Sequence, residues 1–391
     1  MVSLDFINEC KNDVYKNRFG KLSVEDAEFT GVDNLQSFTI DSGCYVDGTI
    51  IGTMCSKKLT SELVDALDND FVDKNIYVSV GVKYASDLTE YVNLGKYVIE
   101  RPKDEITADF TSITAYDELV NNLDKIYICG LDYENNDITV ANLYIDLCNN
   151  LGLTPKATIF TCSTIPIQKN PFTNGETNRE VLKSIETVSC TFAQINSDTN
   201  EIDLCWLSEN ENPDYIFELN DYSTLNGGKI TYGPINSLIV KYSEIDDENV
   251  TIVDNESIST NGENQLVISD DYILVDSSLR ELAINEIWNK VKNLKYVDCE
   301  LTTSYGKPFL KIGDKIRVYT DDENYFDTYV LQHTFTFDGT FKSVIKSPVL
   351  TKQEVSTKQE QTLGKRLRAT EIKINKQNGR IDAIVSDVED Q

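Results

Sequence analysis

The 391-residue chain contains one histidine, two methionines, two tryptophans and eight prolines. It also lacks a Cys-x-x-Cys pair, a His-x-x-x-His pair and any apolar run near the roughly 18 residues that a membrane-spanning helix requires. Each shortage removes a class of function. A Ser-His-Asp or Cys-His triad has only His333 to serve as its base. In TYVLQHTFTF that residue alternates as in a strand, sharing a face with Tyr329, Leu331, Phe335 and Phe337. The pattern predicts a hydrogen-bonded histidine inside a sheet. Zinc sites of the usual Cys and His spacings are absent. LNGGKITYG holds Gly-Gly-Lys without the Gly-x-x-x-x-Gly-Lys-Ser/Thr spacing of a phosphate loop, and reads as a turn ahead of a strand. The acidic loops around Asp68, Asp70 and Asp73, and around Asp246, Asp247 and Glu248, miss the Asp-x-Asp-x-Asp-Gly pattern of a calcium loop. No catalytic residue, cofactor or metal ligand is therefore assigned. A paired-carboxylate glycosidase stays open, because its two acids can lie far apart in the chain and 65 Asp and Glu are present.

Positive charge is scarce as well. Only 36 Lys and Arg oppose those acids, giving a net charge of −29. Such a surface repels nucleic acid, whose binding rests on cations that neutralise phosphates, so no sequence-specific contact with DNA is expected. Dispersed acid serves solubility; lining a channel, it would also let DNA pass without sticking. The N-terminus, MVSLDFINECKNDVYKN, carries acids where a signal peptide has bases and an apolar core, and is not expected to be one. The nine cysteines form an odd set, and several lie in apolar runs such as YIDLCNNLGL and EIDLCWL, as small hydrophobes do. Synthesis in a reducing cytosol follows.

What is present is alternation. In the first β region, IYVSVGVKY and EYVNLGKYVIE read as a strand pair across ASDLT. In a second, Asp338-Gly339 sits between two alternating runs, a hairpin signal. Both regions read as antiparallel sheet or barrel. Between them lies an α+β module. ITVANLYIDLCNNLGL predicts a helix capped by Thr139 and ended by Gly152, and TNREVLKSIETV one opened by the capping box Thr177 and Glu180. CTFAQINSDTNEIDLCWL predicts strands around the turn SDTN. SSLRELAINEIWNKVKNL predicts a further helix, with Ser278 and Glu281 as its capping box and Leu279, Leu282, Ile287, Val291 and Leu294 as the stripe that packs on a sheet. Expected boundaries are 1–111 for the first β domain, 112–208 for the α+β module, 209–350 for the second β domain including helix 278–294, and 351–391 for a linker and terminal helix.

That terminal helix carries a heptad. Leu367, Ile374, Ile381 and Val388 repeat at one seam position, with Leu363, Thr370, Gln377 and Ile384 at the other. Apolar seams need facing helices, and isoleucine at both positions shifts preference toward three strands. The competing reading is an amphipathic helix folded back on its own domain. Residues 351–391 hold eight Lys and Arg against seven acids, and KRLR reads as charge flanking the seam.

Several segments taken in order carry a resemblance. FTIDSGCYVDGTIIGTMCSKKLT, EYVNLGKYVIERPKDEIT with TAYDELV, NPFTNGETNREVLKSI, YGPINSLIV, NGENQLVISDDYIL and GKPFLKIGDKIRVY resemble the baseplate hub or tail-tip proteins of tailed bacteriophages. These include the N-terminal hub portion of tail-associated lysins. The resemblance spans about residues 36–350. It implies two tube-like antiparallel β-barrel domains per chain, a homotrimer presenting a six-fold ring to the tail tube or a distal tail protein above, and a spike, plug or tip protein below. It also implies a place in the virion after assembly in the host bacterial cytoplasm. In that setting the heptad residues would be trimerisation residues. No lytic residue can be carried over, so the expectation is a structural protein without an enzyme. A peptidoglycan hydrolase and a trimeric receptor-binding adhesin are the competing classes.

Overall fold

The computed structural model describes residues 2–11, 17–31, 33–45, 49–64, 71–84, 86–100, 111–241, 249–268, 271–275 and 277–349. The heptad positions, from Leu363 to Val388, lie outside the described residues. In chain order the first region holds α1 (Leu4–Cys10), β1 (Arg18–Val24), β2 (Ala27–Thr30), β3 (Leu35–Gly43), β4 (Thr53–Met54), β5 (Lys58–Leu63), β6 (Asn75–Lys83), β7 (Thr89–Ile99) and β8 (Thr111–Asp117). The middle holds α2 (Glu118–Asn121), α3 (Val140–Leu151), α4 (Asn178–Ser189), β9 (Phe192–Ile195) and β10 (Ile202–Cys205). Then follow β11 (Tyr215–Phe217), β12 (Tyr222–Tyr232), β13 (Ser237–Lys241), β14 (Asn249–Val253), α5 (Asn255–Asn261), β15 (Gln265–Ile268), α6 (Ser277–Val291), β16 (Tyr296–Thr303), β17 (Lys315–Tyr319), β18 (Tyr325–Tyr329), β19 (Gln332–Phe337) and β20 (Phe341–Ser347).

Strands from the first and last regions join in one eleven-stranded sheet, ordered β12-β16-β20-β19-β3-β5-β8-β7-β6-β1-β2. The seam is the antiparallel pair of β19 with β3, in which Phe335 faces Ile40 and Phe337 faces Phe38. This corrects the expectation of separate tube-like barrels: among the described residues no sheet closes on itself, and β12 and β2 are its edges. The sheet nevertheless curls. The Phe337 ring lies so close to Gly20 of β1 and to Gly31 that a Cβ at either would come within 2.4 and 2.6 Å of it. Both positions therefore require glycine for close approach.

The predicted hairpins form as expected, β6 with β7 and β19 with β20, the latter turning through Gly339 at φ 82°. LNGGKITYG is a correction. It is no turn but part of β12, where the register against β16 slips between Gly227 and Thr231. The two glycines take positive φ, and Asp298 Oδ1 accepts the backbone N–H groups of Lys229 and Ile230. A bulge satisfied by one carboxylate explains why turn-like residues sit inside a strand.

The helices follow their signals closely. Thr139 caps α3 in a reciprocal box with Asn142, and Gly152 ends it at φ 72°. Thr177 and Glu180 cap α4 in the same way. Helix α6 begins at Ser277, one residue before the expected cap Ser278, and Leu282 points outward while Leu279, Ile284, Ile287 and Val291 are buried. At about 100° per residue Leu282 falls on the outer edge of the predicted stripe, whereas Ala283 falls inside, and Ile284 at the margin of, the arc that Leu279, Ile287 and Val291 define.

Two apolar cores result. One, inside the curled sheet, gathers Phe38, Leu59, Val78, Tyr97 and Phe341. The other gathers α3, α4 and α6 around β9, β10 and the small sheet β14-β13-β15. Helix α6 packs on β13 and β14, so the prediction that it covers a sheet holds.

Candidate functional site

A groove of about 830 Å³ runs between β7, the β9–β10 hairpin and residues 308–314, with Lys57 and His333 reaching it from the large sheet. Its polar groups come in opposed pairs. Lys156 bonds Asp203 at 2.5 Å, and Lys57 Nζ donates to Ser197 Oγ. Burial lowers Lys57 from the ordinary lysine range, with Asp117 acting against the shift. Two aspartates are driven apart. Burial pushes Asp314 up to about 6 although the backbone N–H of Lys311 donates to it at 2.8 Å. Burial also opposes the charge of Asp214, but donation from Ser208, from the Lys315 backbone and from Asn210 holds it below its usual range.

His333 takes the predicted place. It is buried in β19, and its Nε2 lies 3.0 Å from Ser343 Oγ. Burial, reinforced by the charge of Lys57, brings it down to about 4, so it is neutral near pH 7. The serine of the Ser-His pair is sealed: Ser343 is fully buried and also accepts the backbone N–H of Lys307 at 2.9 Å. A serine that no substrate reaches is a sheet hydrogen bond, as the alternation predicted. Cys205 in the groove accepts from Gln194 Nε2 at 2.9 Å, and burial pushes it up to about 12, so it carries no thiolate at neutral pH.

Sequence reasoning missed the buried carboxyls. Asp117 ends β8 and accepts the Lys57 backbone N–H at 2.8 Å; burial, only partly offset by that bond and by the Lys57 charge, pushes it up to about 7. Glu186, fully buried in α4, accepts Ala193 N–H at 2.7 Å and is raised well above the carboxylate range by burial. Nothing in ETVSC or YDELV marks either as inward. The one available signal was Glu186 falling beside Leu182 and Ile185 on the helix. Among the described residues no cluster of His, Cys, Asp and Glu could hold a metal ion, and no helix is long and apolar enough to cross a membrane.

No known protein family matches the sequence, and neither does any curated protein. Solved structures do match. The 43 kDa tail protein of prophage MuSo2 from Shewanella oneidensis is 12% identical, with a TM-score of 0.54 over 84% of this chain and 97% of that one. The tail protein from Neisseria meningitidis MC58 is 11% identical, with a TM-score of 0.54 over 85% and 97%. At such identities the likeness is one of fold, and it bears out the resemblance to phage tail proteins at that level. The chain has the fold of phage tail proteins.

Proposed function

We propose that the chain is a structural baseplate hub or tail-tip protein of a phage or phage-tail-like particle. The observation that carries the reading is the fold shared with two tail proteins, one of them from a prophage, across 97% of their lengths. Three copies form a ring that closes the distal end of the tail tube, with the tube or a distal tail protein above and a spike, plug or tip protein below. The two β regions of each chain, 1–111 and 209–350, supply two similar surfaces, so three chains offer six. That resolves the mismatch between a six-fold tube and a three-fold tip. Supporting the ring, β2 and β12 leave open edges on the large sheet, and an open edge is a template for another chain. Leu363, Leu367, Thr370, Ile374, Gln377, Ile381, Ile384 and Val388 tie the three chains together as a coiled coil. The net charge of −29 suits a lumen through which DNA slides.

The test is solution mass by light scattering, on the full chain and on a truncation ending near Pro348. The full chain is expected at three times its 44.2 kDa mass, and the truncation at three times its own smaller chain mass. A stable dimer would sink the three-fold reading. One second reading is a cell-wall hydrolase, for which Asp214 and Asp314, both facing the groove, would be the carboxyls. A clear band in a peptidoglycan zymogram of the purified chain would establish it.

A further inference from the structure

A second polar centre shares no residue with the lining of the groove. The side chains of Lys307 and Asp221 are 1% and 3% exposed, and Lys307 Nζ donates to Asp221 Oδ1 at 3.3 Å. Asp221 precedes β12 and Lys307 follows β16, so the antiparallel pairing of those strands brings the two together. The Ser304 N–H fixes the junction by donating to the Asp221 carbonyl at 3.0 Å. Aromatic rings enclose the amine, with Tyr305 at 3.5 Å, Tyr215 at 5.2 Å and Phe217 at 5.8 Å from Nζ to centroid. The two carboxyl oxygens are treated differently. Oδ1 receives the Tyr305 hydroxyl as well as the amine, whereas Oδ2 receives the backbone N–H of Glu218 at 2.9 Å.

We propose that Lys307 and Asp221 condense to an intramolecular isopeptide bond. Nζ attacks Asp221 Cγ, the new C–N bond forms and the Cγ–Oδ1 bond breaks. Oδ1 leaves as water, taking two of the three ammonium protons, and the third remains on the amide nitrogen. Nothing is oxidised or reduced, and no co-reactant enters. Oδ2 becomes the amide oxygen, and the Glu218 N–H that already holds it stabilises the negative charge it bears as the tetrahedral intermediate forms. The Tyr305 hydroxyl, on the departing oxygen, stands where a proton donor is needed.

Two features of the site favour the reaction. Burial, partly offset by Asp221, brings Lys307 down to about 8, so a fraction of the amine is neutral and nucleophilic near pH 7. The aromatic enclosure keeps out the bulk water that would reverse the condensation. The product would close a loop between residues 86 positions apart. Such a link restricts the unfolded chain as a disulfide does, and all nine cysteines of this chain are free.

The experiment is the intact mass of the purified full-length chain, denatured after prolonged incubation at neutral pH. The expected value is lighter than the sequence by one water, and a digest should contain a branched peptide joining Asp221 to Lys307. The Lys307→Arg chain should show the full sequence mass. A wild-type chain at full sequence mass overturns the proposal. So does a Lys307→Arg chain that also lacks one water, since the loss would then lie elsewhere.

Discussion

The two apolar cores solve the same problem with opposite means. The sheet core is assembled from far-apart segments, because Phe38 and Ile40 of β3 meet Phe337 and Phe335 of β19 across nearly the whole described chain. The helical core is assembled from near neighbours, with α3 and α4 each delimited by its own caps. They also differ in how they treat charge. In the sheet core the buried Arg18 keeps partners, donating to the Cys10 carbonyl and to Thr340 Oγ1 at 2.9 Å each. In the helical core Glu186 is raised well above its ordinary range and Asp271 is pushed up to about 6, both by burial first. Asp271 accepts the Ser184 hydroxyl and the Ile273 and Leu274 N–H groups, yet its burial outweighs all three.

That contrast can be broken at its largest contact. Phe337→Ala removes a fully buried ring packed against Phe38, Phe341, Gly20 and Gly31, and should cost about 3–5 kcal/mol in denaturant unfolding. Leu147→Ala in α3, also fully buried, should cost about 2–5 kcal/mol. Residues 1–348 form one compact unit, so both variants should shift a single transition. Two separated transitions, each moved by only one variant, would show that the cores melt independently.

Titration sharpens the comparison next. Asp117 at about 7 and Asp271 at about 6 hold protons in the folded chain that the unfolded chain has released above about pH 4. Stability therefore falls as pH rises through that window, by up to about 1.4 kcal/mol per pH unit for each group. His333, down at about 4, works in the other direction. The unfolded chain takes a proton that the folded chain refuses, so this contribution is lost as pH falls from about 6.5 to about 4. Asp117→Asn should flatten the first slope and His333→Gln the second, in melting temperatures recorded across these windows. Curves parallel to wild type would refute the assignments. The smallest effect belongs to a cap. Thr177→Ala should cost about 1 kcal/mol, read from the same melts, by freeing the Glu180 N–H.

Legibility in the sequence followed the range of the interaction. The cap at Thr139, the box at Thr177 and the hairpin at Gly339 were readable because each is decided within a few residues. The Gly227-Gly228 segment misled because a bulge and a turn use the same residue, and the difference lies in Asp298 on the neighbouring strand. Leu282 misled because it sits at the edge of the apolar stripe of α6, where period alone does not decide between core and solvent. The groove was not readable at all, since its walls come from β7, the β9–β10 hairpin and residues 308–314, which no local pattern relates.

By itself the sequence determined the alternation of the strands, the limits of α3 and α4, the neutral sheet environment of His333 and the heptad of the terminal segment, because these depend on period and on nearest neighbours. Tertiary structure alone decided that both β regions enter one sheet through β3 and β19. It alone enclosed Lys307 with Asp221 and stripped Asp117 and Glu186 of water. Strand pairing order and desolvation are properties of what surrounds a residue in space, and many sequences of the same period leave them undetermined.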